Sequence, residues 1–235
     1  MSYAISILAS IIAVLFVFVP HEAAHGFVAY KNGDYTPKAY GRLTLNPIKH
    51  IDPVGIILCI FTGFGWAKPV PVNPGNFRNY KKGLFTTAIA GVTVNYIIAF
   101  FAYPLFLLIA ELAIPEVAYN SFAYYLLYFF ERIFDLTFLY SLSVFVFNLL
   151  PLYPLDGFRV VESLTRQINP VHKFLRNYGY YILIGLVLES FLCNVMTRYG
   201  VPFVDYLNIL GYVQWFARNI IGFPITALWN LIFSI

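Results

Sequence analysis

The sequence predicts an all-α polytopic membrane protein of about four to six transmembrane helices, with a re-entrant or short β-containing segment between the first two. Three observations carry that expectation. Of 235 residues, 60% are hydrophobic and only 11% are charged, against about 25% charged in a soluble domain. The chain opens on an almost unbroken apolar run from Tyr3 to Val19, the length of a membrane span. Its basic residues are concentrated in two stretches between apolar runs, and no stretch is long and polar enough to form a separate soluble domain.

The first helix is expected from about Ser2 to Tyr30, ended by Gly33 and Pro37. It lacks a basic n-region and a small-residue cleavage site, so it does not read as a removable signal peptide. A mixed region follows, from Lys31 to Lys82. It holds Lys31, Lys38, Arg42, Lys49, Lys68, Arg78, Lys81 and Lys82 against only Asp34 and Asp52. Within it, Val54 to Phe64 is an apolar run of about eleven residues, too short to cross as a helix. With Gly55, Gly63 and Gly65 around it, the run reads as a re-entrant or short buried segment.

A second span is expected from Leu84 to Leu112, with Gly91 and Asn95 four apart on one face. That face either packs against another helix or meets the functional site. From Glu111 to Asp135 the chain is acidic and aromatic, which suits an amphipathic helix lying in the interface plane. A third span runs from Leu136 into the stretch Asn148 to Gly157, and the basic loop Phe158 to Arg176 follows. A fourth occupies Tyr178 to Met196. The end, Tyr206 to Ile235, is one kinked span or two half-helices. Positive loops stay in the cytoplasm. Both basic stretches can do so only if Val54 to Phe64 does not cross, which puts the N-terminus outside and the acidic aromatic segment outside as well. Cys59 and Cys193 both sit in apolar surroundings and define neither a disulfide framework nor a metal site. No basic stripe of the nucleic-acid-binding kind is present.

At the end of the first helix stands His21-Glu22-Ala23-Ala24-His25. Ionisable residues in an apolar helix are expensive and mark functional sites. Residues four apart share a helix face, so both imidazoles can hold one ion, with Glu22 placed to take a proton from water beside it. A catalytic zinc site needs a third protein ligand and one open position. The predicted topology brings Asp156, at the end of the third span, to the same depth as His21 and His25. Pro151 and Pro154 disfavour helix just ahead of it, and Gly157 permits close chain approach.

The stretches HEAAH and NLLPLYPLDG together resemble the HExxH and NxxPxxxLDG signatures of the site-2 protease family of intramembrane zinc metalloproteases (peptidase family M50). Gly41 to Gly55 and Trp66 to Phe77 resemble its compact bacterial and archaeal members, and the likeness covers roughly Val19 to Val160. The resemblance implies one zinc ion per chain, bound by His21, His25 and Asp156, with Glu22 as general base. It also implies that Asn148 holds substrate or stabilises the tetrahedral intermediate, with a packing role as its alternative. It implies one domain over 1–235, with a catalytic core at about 2–160 and C-terminal helices at about 177–235, and no PDZ-like or CBS-like domain. It further implies a transmembrane protein or peptide as substrate, in a prokaryotic cell membrane, cut near the cytoplasmic side. Two departures stand out: Gly91 to Asn95 lacks the family's frequent proline, and Tyr153 replaces a common proline or glycine.

The residues leave rival readings. A zinc transporter would need polar ligands across the whole membrane, and the outer halves of the first and third helices are apolar. A prenyl-protein-type protease would lack the PxxxLDG stretch. A catalytically dead binding protein would not need Glu22. His50 is expected as a solvated loop residue beside Lys49, with approach to the metal as its alternative, and His172 as a loop residue.

Overall fold

A computed structural model of the chain describes residues 2–55, 67–165 and 169–234. Helix α1, Ser2–Lys31, runs unbroken for 30 residues, about 45 Å. Pro20 sits inside it. Lacking an N–H, Pro20 cannot make the helical hydrogen bond to the Phe16 carbonyl one turn back. Gly33, at φ +107°, turns the chain away from the helix end. Two single-turn helices follow, α2 (Thr36–Ala39) and α3 (Pro47–His50), each with proline in its first turn.

From Ala67 to Asn73 the chain forms an irregular strap, closed by a 3₁₀ turn at Pro74–Asn76. Asp34, wholly buried, fastens that strap. Its Oδ2 accepts from the Asn73 backbone N–H at 2.7 Å, and its Oδ1 accepts from Asn76 Nδ2 at 2.8 Å and from the Thr36 backbone N–H at 3.0 Å. No strand occurs among the described residues. The expected re-entrant run Val54 to Phe64 falls, from residue 56, outside them.

Helix α4, Tyr80–Leu107, is capped by the Asn79 side chain on the Lys82 N–H and continues into a π-helical turn, Leu108–Ala113. Helix α5, Phe122–Asn148, is capped by Ser121 on the Tyr124 N–H. Here the structure corrects the sequence reading. The aromatic stretch after Phe122 is not a separate in-plane helix; it is the first half of the same 27-residue helix that carries Leu136 to Asn148. The physical reason is continuity: no glycine or proline lies between Phe122 and Asn148 to end the helix.

After the loop Leu149–Leu155 come α6, Asp156–Leu164, and α7, Pro170–Arg198. The expected loop Phe158 to Arg176 is therefore mostly helix. His172 lies in the first turn of α7, buried, its ring stacked on Phe158 at 4.7 Å. A 3₁₀ helix, Pro202–Leu207, leads to α8, Ile209–Phe216. A π-helical turn and α9, Phe223–Phe233, complete the described chain. The C-terminal pair is bent by 44° between Ile221 and Phe223.

Among the described residues three helices are long and apolar enough to cross a membrane: Ala4–Lys31, Tyr80–Ala113 and Pro170–Arg198; the bent C-terminal pair is a fourth candidate, and α5, where the third span was expected, is not among them. The chain is an all-α membrane protein. Its centre is a sheaf of α1, α4 and α5 in mutual contact. Small residues let these helices approach closely, as apolar solvent gives no hydrophobic drive between them. Ala9 and Ala13 of α1 meet Ile133 and Leu136 of α5. Ala99 and Ala102 of α4 meet Phe138 and Leu142 of α5, with Ala217 and Ile225 closing the cluster. Two hydrogen bonds fasten α9 to α4: Trp229 Nε1 donates to the Phe100 carbonyl at 3.0 Å, and Tyr103 donates to Asn230 Oδ1 at 2.9 Å.

Candidate metal centre

The rise from Ala4 to His21 along α1 is about 25 Å, which sets the two histidines near the far end of the apolar layer. Their spacing of four residues puts both rings on the face that meets α4 and α5. The Leu149–Leu155 loop, which contains a cis Tyr153-Pro154 bond, turns the chain back towards that face. Gly157 makes the return possible. A Cβ on it would lie 2.2 Å from the Leu149 carbonyl oxygen and 2.5 Å from that of Leu150. The chain therefore doubles back at van der Waals contact and presents Asp156, the first residue of α6, to the histidines.

All three side chains are buried. His21 Nε2 lies 3.0 Å from His25 Nε2, and Asp156 Oδ2 lies 3.3 Å and 3.1 Å from them respectively. Among the described residues this is the group of histidine, cysteine and acidic side chains whose donor atoms come within ligand distance of one another. His25 Nδ1 is 2.7 Å from the Thr87 carbonyl oxygen. A carbonyl only accepts, so Nδ1 carries a proton, and in the neutral ring that a metal requires Nε2 is a lone pair. It faces another imidazole nitrogen and a carboxylate oxygen that accepts no hydrogen bond. Lone-pair-bearing atoms held together in a buried space call for a cation between them.

The donor set fits zinc. With metal–ligand bonds of 2.0–2.1 Å, tetrahedral geometry separates neighbouring ligand atoms by about 3.3–3.4 Å, close to the 3.0, 3.1 and 3.3 Å found. Gly91 of α4 adds to the fit. A Cβ there would stand 2.4 Å from His25 Nε2 and 2.7 Å from His21 Nε2. Only glycine leaves the rings where they are.

Glu22 is half-buried beside this group. Its Oε2 accepts from the Val70 backbone N–H at 2.7 Å. Val70 lies between Pro69 and Pro71, so it supplies the one backbone N–H in that tripeptide. Asn148 closes α5, and its amide donates to Val144 of the same helix at 3.1 Å. His50 departs from the expectation. It is buried, bonded through Nε2 to the Thr44 carbonyl at 2.9 Å, and stands outside the His21–His25–Asp156 group.

The sequence reading passed over two contributors. The Thr87 carbonyl and the Val70 amide each hold a site residue. Both act through backbone atoms, which no residue type reveals.

Comparison with known proteins bears on this geometry. The profile described as Peptidase family M50 matches residues 118–190, the stretch that carries Asn148 and Asp156. "Putative zinc metalloprotease YwhC" of Bacillus subtilis strain 168 is 42% identical over 186 residues, covering 78% of this chain and 82% of that protein. The chain belongs to peptidase family M50. "Putative zinc metalloprotease Rip2" of Mycolicibacterium smegmatis is 24% identical over 202 residues, covering 82% of this chain and 71% of that protein. No solved structure matches. This M50 peptidase therefore joins a metal-type donor set to a helical membrane fold.

Proposed function

We propose that this chain is an intramembrane zinc metalloprotease that hydrolyses peptide bonds in or near transmembrane segments of its substrates. The observation that carries the reading is the convergence of His21, His25 and Asp156 within 3.3 Å of one another at the ends of apolar helices. In it, His21 and His25 through Nε2 and Asp156 through Oδ2 hold one zinc ion. Bound zinc supplies Lewis acidity to the scissile carbonyl and lowers the pKa of the attacking water. Glu22 takes the water proton and delivers it to the leaving amine. The Val70 N–H fixes one carboxylate oxygen of Glu22 and leaves the other for the proton. Asn148, at the end of α5, holds the substrate chain as it unwinds. Unwinding is required because an intact helix locks its carbonyls in its own hydrogen bonds.

The whole of 1–235 acts as one domain, with the catalytic core within about residues 2–160. The site lies, on this reading, near the cytoplasmic face of a prokaryotic cell membrane; the excess of basic residues from Lys31 to Lys82 supports the cytoplasmic side. The zinc metalloprotease names of the two relatives agree with this reading. The transporter alternative needs a ladder of ligands through the bilayer. Among the described residues one such cluster exists, at one depth.

Glu22→Gln tests the function. It keeps the size and hydrogen-bonding reach of the side chain and removes the proton acceptor. Purified protein reconstituted in liposomes with transmembrane peptides should cut them within the apolar segment. The variant should bind zinc fully and cut at least about a hundredfold more slowly. Full zinc with unchanged cutting removes Glu22 from the chemistry; zinc passage without cutting establishes the transporter.

A further inference from the structure

Helix α4 offers one face to the two histidines, through Thr87, Gly91 and Asn95 at successive spacings of four. The Thr87 carbonyl takes the Nδ1 proton of His25, and Gly91 leaves room for both rings. Asn95, one turn further on, is wholly buried, and its amide head stands 3.1 Å from His21 Nδ1.

The identity of the facing amide atom decides what Asn95 does. If the Nδ2 group donates to His21 Nδ1, the His21 proton must sit on Nε2. That proton would then point at His25 Nε2 and Asp156, and the Asn95 oxygen would be left buried without a partner, as Oδ1 is. A half-turn of the amide exchanges its oxygen and nitrogen at the same position. The oxygen then accepts from His21 Nδ1–H, the amide nitrogen takes the partnerless position, and His21 Nε2 becomes a bare lone pair matching that of His25. Either way one end of the buried amide lacks a protein partner, so the ligand set decides: only the second arrangement leaves both His21 Nε2 and His25 Nε2 as lone pairs facing Asp156.

We propose that Asn95 is the positioning residue for His21: its side-chain oxygen accepts the Nδ1 proton and so turns the Nε2 lone pair towards the metal. This rests on the reading of His21, His25 and Asp156 as zinc ligands. Helix α4 then sets both imidazoles the same way, by a backbone carbonyl at Thr87 and by a side-chain carbonyl at Asn95. Outer partners of this kind fix ring orientation and raise ligand basicity, and their loss costs about 10–100-fold in metal affinity. Asn95 touches neither substrate nor zinc, so its effect runs through His21 alone.

The experiment measures zinc affinity by chelator competition in detergent, on wild type, Asn95→Asp, Asn95→Leu, Asn95→Ala and His21→Ala. Asn95→Leu and Asn95→Ala should bind zinc about 10–100-fold more weakly. Asn95→Asp, which can only accept, should stay within a few-fold of wild type. A packing asparagine would show the reverse order, because leucine suits an apolar interface better than a carboxylate does. Nitrogen NMR of histidine-labelled, zinc-loaded wild type gives a second readout that needs no variant. Both ligating rings should carry a protonated Nδ1. A bare Nδ1 on His21, or wild-type affinity in Asn95→Leu, overturns the proposal. Full zinc in His21→Ala instead overturns the ligand set beneath it, so the two failures are told apart.

Discussion

Gly91→Ala adds one methyl group at the most crowded point of α4. The new Cβ would stand 2.4 Å from His25 Nε2, 2.6 Å from His21 Cε1 and 2.7 Å from His21 Nε2. Ordinary contact begins near 3.4 Å, so at least one ring must retreat by about 1.0 Å. A metal site tolerates departures of only about 0.2 Å in its ligand distances. The backbone effect runs the other way: alanine in a helix interior is favoured over glycine by about 1 kcal/mol. Overpacking costs about 1–3 kcal/mol, so the fold should change in stability by no more than about 2 kcal/mol while the site is spoiled. Zinc affinity should fall on the order of 100-fold, and cleavage by a similar factor, the usual cost of a 1 Å misplacement. The assay pairs chelator competition with thermal unfolding of the metal-free protein in detergent. Wild-type zinc affinity in a folded Gly91→Ala variant would refute the argument that the rings are held against this glycine.

Three further outcomes follow from the strap and the basic stretches. Val70→Pro removes the N–H that holds Glu22, while Val70→Ala keeps it. The first should lose about 10–100-fold in turnover, the scale of a hydrogen bond to a charged group, with zinc content unchanged, and the second should not; equal turnover in both would dismiss the contact. Burial pushes the Asp34 carboxyl up, but hydrogen bonds from Thr36, Asn76 and the Asn73 backbone outweigh it and hold the group below its ordinary 3.8. A carboxyl depressed in the folded state adds stability above its unfolded value and loses it as pH falls through the folded one. Thermal stability should therefore drop as pH is lowered from about 5 towards 3, and Asp34→Asn should flatten that drop while costing about 1–3 kcal/mol at neutral pH. Cysteines placed at Lys38 and Arg78 should resist impermeant reagents applied outside intact cells; labelling of either would put that stretch on the far side of the membrane.

Much of the site was legible because its chemistry is written in close spacings. The four-residue interval of His21 and His25 states a shared helix face. The prolines ahead of Asp156 state a broken helix, and Gly157 a close approach that the structure places against the Leu149 carbonyl. What stayed hidden depends on helices meeting across long separations. Asn95 and His21 touch across 74 residues, and His25 and Thr87 across 62. One sequence has no periodicity that records which face of α4 meets which face of α1. The series Thr87, Gly91, Asn95 in an apolar helix was the trace available. His50 and His172 misled for the same reason: beside lysines they read as solvated, yet tertiary packing buries both. The aromatic start of α5 misled because an aromatic and charged half-helix looks the same whether it lies flat or continues inward.

The three donor atoms come from distant parts of the chain, with roughly 130 residues between His25 and Asp156. At synthesis rates of about 5–20 residues per second, α1 waits roughly 7–26 seconds for its partner acid. During that interval the two histidines can gather no complete coordination shell. With the ligand set proposed above, the site is incomplete while the chain's own spans are entering the bilayer. Competence arrives only after α1, α4, α5 and the turn into α6 have assembled. On that reading, correct assembly is a precondition of a complete site.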